Sequence, residues 1–118
     1  MTVPADLSRA AERLIMRHID SVGALDLLLL LHGTRDRDWS RAELCDELRC
    51  PERWAAGQLR ALERLGLAIE AGDGRYRYQR GRQDGPAVDG IARMCRHDRA
   101  RVIRMIFQRP PSTGEFDN

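Results

Sequence analysis

Residues 39–79 read WSRAELCDELRCPERWAAGQLRALERLGLAIEAGDGRYRYQ. Ser40 followed three residues later by Glu43 is the signature of a capping box, in which each side chain satisfies a backbone N–H at the start of a helix. Leu44 and Leu48 then share one face with Cys45 beside them, so a helix of two to three turns is expected. "RC" leaves room only for a tight connection. Pro51 suits the first turn of the next helix, where its missing N–H would have no partner anyway. Ala55, Leu59, Leu62 and Leu65 form the buried stripe of that helix, over 51–65, and Gly66 ends it. Leu67 and Ile69 then alternate with Ala68 and Glu70. "GDG" (72–74) tolerates the positive φ of a tight turn. Tyr76 and Tyr78 fall on one face of the returning strand, with Arg75 and Arg77 on the other. The spacing thus predicts a β-hairpin over 67–80, with both tyrosines toward the core and Trp39 packed against it.

The flanks are helical. Leu7, Ala11, Leu14, Ile15, His18 and Ile19 recur at helical spacing over 6–19. Asp20 or Ser21 caps a second helix that ends at Gly33; Val22, Leu25, Leu28 and Leu29 give it a wide apolar face, as for a central element. A last helix, over 86–109, carries Val88, Ile91, Cys95, Val102, Ile103, Ile106 and Phe107, with "RHDR" (96–99) interrupting the stripe. Pro110 and Pro111 stop it, and residues 110–118 read as a disordered tail. At 118 residues the chain suits one domain, spanning 1–109 with a core over 20–82.

Helix, short helix, tight turn, helix and hairpin, in that order, resemble a winged helix-turn-helix. From Trp39 to Gln79 the chain resembles the core of MarR-like bacterial transcriptional regulators without a gap. Leu44 and Leu48 match core leucines of the second helix of that family, Cys50 falls at a turn valine, and "ERLGL" (63–67) matches the end of the recognition helix. The resemblance implies a mainly α fold with a small β-hairpin and flanking N- and C-terminal helices. It also implies binding to double-stranded DNA, through helix 51–65 and the wing 67–80. Family members that read DNA show Ser, Thr, Gln, Asn or Arg in the first turns of this helix. This chain has Pro51, Glu52, Arg53, Trp54, Ala56 and Gly57.

Arg53, Gly57, Arg60 and Arg64 follow at spacings of four, three and four, which puts them on one side of the helix. On a DNA reading Arg53 reaches a base edge, Gly57 allows close approach, and Arg60 and Arg64 meet phosphates. Arg75 and Arg77 are the candidate minor-groove readers of the wing. The plainer reading of each is a solvated or ion-paired arginine. A rival function is a winged-helix module that docks another protein, with Trp54 as aromatic anchor and no DNA contact. The terminal helices suggest a homodimer, with Leu7, Leu14, Val102, Ile106 and Phe107 at the interface.

Composition narrows the remaining classes. All twenty basic residues are Arg and the formal charge is +2. The excess lies C-terminally, with four Arg and no acid over 75–82 and six Arg against one Asp over 93–109. No run of 18 apolar residues or basic, apolar leader occurs, so a cytoplasmic location with no membrane contact is expected, and Cys45, Cys50 and Cys95 read as reduced thiols. Cys45 and Cys50 do not show a common zinc spacing, and no metal or cofactor is expected. Nucleophile-elbow, Walker and HExxH motifs are missing, and "GDGRYR" fails the dinucleotide pattern at Arg77, so no enzyme activity is expected.

Overall fold

The computed structural model describes residues 5–81 and 84–109, and of residues 5–7 the backbone only. The tail expected over 110–118 lies outside the described residues. The elements are α1 (Ala5–His18), α2 (Val22–Gly33), β1 (Trp39–Ser40), α3 (Arg41–Leu48), α4 (Glu52–Arg64), β2 (Ala68–Glu70), β3 (Arg75–Tyr78) and α5 (Gly85–Phe107). The chain is mainly α with one small antiparallel sheet in the order β1-β3-β2. No helix among the described residues is long and apolar enough to cross a membrane.

Helix α2 is the centre of the core. Ser21 caps it, its Oγ accepting from the Ala24 N–H at 3.0 Å. Leu25, Leu27, Leu28 and Leu31 are all fully buried. Val22 and Leu29, placed on the apolar face by spacing, are only half-buried. A helix surrounded on more than one side buries residues all round, so its pattern does not mark a single face.

The capping box of α3 forms in both directions. Ser40 Oγ accepts from the Glu43 N–H at 3.1 Å, and Glu43 Oε1 accepts from the Ser40 N–H at 2.9 Å. Pro51 is the N-cap of α4 rather than its first residue. At the far end the Leu67 N–H donates to Leu62 O at 2.9 Å and the Gly66 N–H to Glu63 O at 3.0 Å. With Gly66 at φ 76° this is a Schellman stop. It turns the chain directly into β2.

The sheet has one strand more than expected. Trp39 pairs with Tyr76 and Ser40 with Arg75, which adds β1 to the hairpin. A two-residue strand has no alternation for a sequence reading to detect. Trp39 is 3% exposed, and its Nε1 donates to Thr34 Oγ1 at 2.9 Å. Tyr78 is buried and Tyr76 half-buried, on the core side as expected.

Two expectations about the terminal helices are corrected. The last helix is not continuous. Asp98 has φ −159° and ψ 80°, and its Oδ1 accepts from the Arg101 N–H at 3.2 Å, so it caps a second helical segment. This is the "RHDR" interruption of the stripe. The stripe itself is not free for a partner. Leu14 is 3% exposed, Val102 0% and Ile106 5%, because α1 and α5 pack along each other within one chain. Of the expected interface residues only Phe107, 76% exposed, faces solvent, and the Leu7 side chain lies outside the described residues. Ile106→Asp would therefore test the fold of one chain, not its assembly.

The turn between α3 and α4 gives a direct test of local conformation. Arg49 ends α3 at φ 54° and ψ 53°, left-handed backbone in which a side chain is strained. Arg49→Gly should raise the stability of the chain by about 0.5–1 kcal/mol in urea unfolding, since glycine relieves the strain but loses more chain entropy on folding. A lower midpoint would show that the Arg49 side chain makes a stabilising contact.

Candidate nucleic-acid interface

Burial orients α4. Ala55, Leu59 and Leu62 are buried against the core, which turns Arg53, Arg60 and Arg64 outward. All three are exposed, and among the described residues none enters an ion pair within 4.0 Å. Between them lies Gly57, where a built Cβ would meet no atom within 4 Å. The row predicted from spacing is thus a cationic side with an open gap at its middle. Glu52, also exposed, stands at its N-terminal end.

The hairpin arginines are arranged differently. Arg75 Nη1 donates to Glu43 Oε1 at 3.0 Å and to the Asp38 carbonyl at 3.4 Å. Arg77 Nε donates to Asp38 Oδ1 at 2.6 Å. The Ser40 N–H holds the Glu43 carboxyl below its usual range against a desolvation penalty, and Arg75 adds to the effect. Both arginines are folded back on the segment around β1. The tip beyond them exposes Glu70 and Asp73.

Trp54 lies against the start of α2. A Cβ built on Gly23 would sit 3.2 Å from its Cη2 and Cζ2, so the small residue in α2 makes room for the indole. Trp54 also lines a cavity of about 360 Å³ with Ser21, Asp26, Leu48, Cys50 and Pro51. The ring is half-buried, already engaged with its own chain on one edge. Cys45, Cys50 and Cys95 are free thiols. Burial raises the Cys45 and Cys95 thiols above their ordinary value, and the adjacent Cys50 thiol adds to this at Cys45. Neither is therefore a ready nucleophile.

One cluster has no signature in the sequence. His32 Nε2 and Asp89 Oδ1 are 3.0 Å apart, with Arg80 Nη2 donating to Asp89 Oδ2 at 3.0 Å. Arg35 Nη2 lies 3.2 Å from the same Nε2, so this nitrogen stands between an acceptor and a donor. Burial pushes the Asp89 carboxyl upward, but the His32 and Arg80 hydrogen bonds outweigh it and leave the group below its usual range. His32 and Asp89 are 57 residues apart, and only the packing of α5 on α2 joins them.

Comparison with known proteins adds no relative. No family model matches the chain, and neither a curated protein nor a solved structure shows a significant match. The likeness to MarR-like regulators therefore rests on the residues of 39–79 themselves.

Proposed function

We propose that the chain is a winged helix-turn-helix protein that binds double-stranded DNA through α4, as transcriptional regulators do. The observation that carries this reading is the row of Arg53, Arg60 and Arg64, exposed and without ion-pair partners among the described residues, around the open Gly57. Five other arginines, at 75, 77, 80, 99 and 101, form ion pairs with acids of their own chain. An uncompensated row on a convex helix suits a phosphate backbone. The order of elements and the stop at Gly66 are compatible with a winged helix. On this reading the wing arginines, Arg75 and Arg77, contribute less than α4, since each would have to leave an acid and approach DNA beside Glu70 and Asp73. A homodimer would use exposed Met16 and Phe107 rather than the buried stripe.

The rival reading is protein docking without DNA. It is favoured by the cavity of about 360 Å³ beside Trp54. Salt separates the two. The two phosphate contacts, of Arg60 and Arg64, give a slope of about −1.8 in log affinity against log salt, so raising salt from about 50 to 200 mM should weaken DNA binding about 12-fold. Titration of a labelled duplex at both concentrations measures this. If no duplex binds below about 10 µM at the lower salt, where non-specific binders reach that range, the DNA reading fails and docking takes its place.

A further inference from the structure

A second cationic surface lies away from α4, in a cleft of about 480 Å³ between the end of α2, the exit of β3 and one side of α5. Its polar groups are His32, Arg35, Arg80, Asp89, Arg93 and Arg96, and Pro86 and Ala92 supply apolar wall. Four arginines thus face one carboxylate. Asp89 is already engaged by both His32 and Arg80, and this holds the two side chains at the cleft wall. Arg35, Arg93 and Arg96 have no carboxylate partner among the described residues. Like charges gathered on three separate elements repel one another, and an anion between them would relieve that repulsion.

Two of these groups also pack on Tyr78. The Tyr78 ring stands edge-on to the His32 ring at 5.3 Å, and the Arg35 guanidinium lies 5.7 Å from its centroid. The Tyr78 hydroxyl is buried and has no hydrogen-bond partner among the described residues. Arg80 is held in place from behind as well, since a Cβ at Gly85 would sit 2.7 Å from its Cγ. His32 and Arg80 are therefore held at the wall before any ligand arrives, which lowers the ordering cost of binding, while Arg35, Arg93 and Arg96 are exposed.

We propose that this cleft binds a small polyanion carrying phosphate or carboxylate groups. A guanidinium matches either group with two parallel hydrogen bonds, and a concave space of this volume suits a small molecule. A nucleic-acid backbone is the less fitting occupant, because the cations line a recess rather than a ridge. The site does not depend on the DNA reading of α4, and it uses none of the same residues.

The test is calorimetric titration of the full chain at low salt with inorganic pyrophosphate and, separately, with citrate. Saturable one-to-one binding of either supports the site, and the tighter of the two assigns phosphate or carboxylate chemistry. Arg93→Ala with Arg96→Ala should weaken it at least about tenfold, the loss expected for charge-assisted hydrogen bonds, and Arg35→Ala, on another element, should do the same. These side chains are solvent-facing, so circular dichroism of the variants should be unchanged. Arg60→Ala should leave anion binding unaffected. Equal weakening by Arg60→Ala would mean charge attraction without a site and would overturn the proposal. So would the lack of saturation by either anion up to about 10 mM, weaker than any useful small-ligand site. Duplex binding that is lost in the Arg93, Arg96 variant while neither small anion binds would also overturn it, by assigning the cleft to nucleic acid.

Discussion

Trp39→Ala should lower the stability of the chain by about 3–5 kcal/mol, the range for removing a buried large aromatic side chain. Small domains are stable by only about 5–15 kcal/mol in total, so much of the folded population could be lost at 37 °C. Trp39 joins three parts of the molecule. Its backbone pairs with Tyr76 of the hairpin, its Nε1 donates to Thr34 at the end of α2, and the Arg37 guanidinium lies 3.6 Å from its ring centroid. Thr34 Oγ1 in turn donates to the Leu30 carbonyl at 2.6 Å, so the same contact closes the end of the central helix. Trp39→Phe keeps the aromatic body and loses the N–H, and should cost less, with about 1 kcal/mol from the hydrogen bond. Urea unfolding followed by far-ultraviolet circular dichroism measures both. If Trp39→Ala changes the midpoint no more than a surface substitution does, β1 does not hold the hairpin to the helices.

Replacing Arg53, Arg60 and Arg64 together with alanine should bring the salt dependence of duplex binding close to zero, because the phosphate contacts of Arg60 and Arg64 each take about one unit from the slope when removed. The single changes should differ in kind. Arg53 stands in the first turn of α4, closest to the end that would enter a groove. Arg53→Ala should cost about 1–3 kcal/mol on a preferred site and little on random duplex, if its contact is bidentate to guanine. Arg60→Ala should weaken all sequences alike. Trp54→Ala separates the rival: about 2 kcal/mol or more from a protein complex if Trp54 is its anchor, and on DNA an effect only through the fit of α4 on Gly23. A triple variant that binds duplex as the unmodified chain does, at both salt concentrations, removes α4 from the account.

What the sequence determined by itself is local. The Ser40–Glu43 box, the Gly66 stop, the turn at 72–74 and the caps of the helices each depend on residues within about six positions of one another, where backbone hydrogen bonding and φ preference act directly. Helical spacing likewise put Arg53, Gly57, Arg60 and Arg64 on one side of α4 and the leucines on the other. What only the tertiary structure decided is which of these faces are spent. The α1 and α5 stripes read equally well as an interface or as core, since periodicity reports an apolar face and not its partner; packing of α5 on α1 buries Leu14, Val102 and Ile106 within one chain. Arg75 and Arg77 looked like the arginines of α4 until Glu43 and Asp38, more than thirty residues earlier, came within hydrogen-bond distance. The His32–Asp89–Arg80 cluster spans 57 residues and has no spacing to find. Charge compensation acts through space at a few ångströms, so the availability of an arginine depends on the fold that brings an acid to it or leaves it alone.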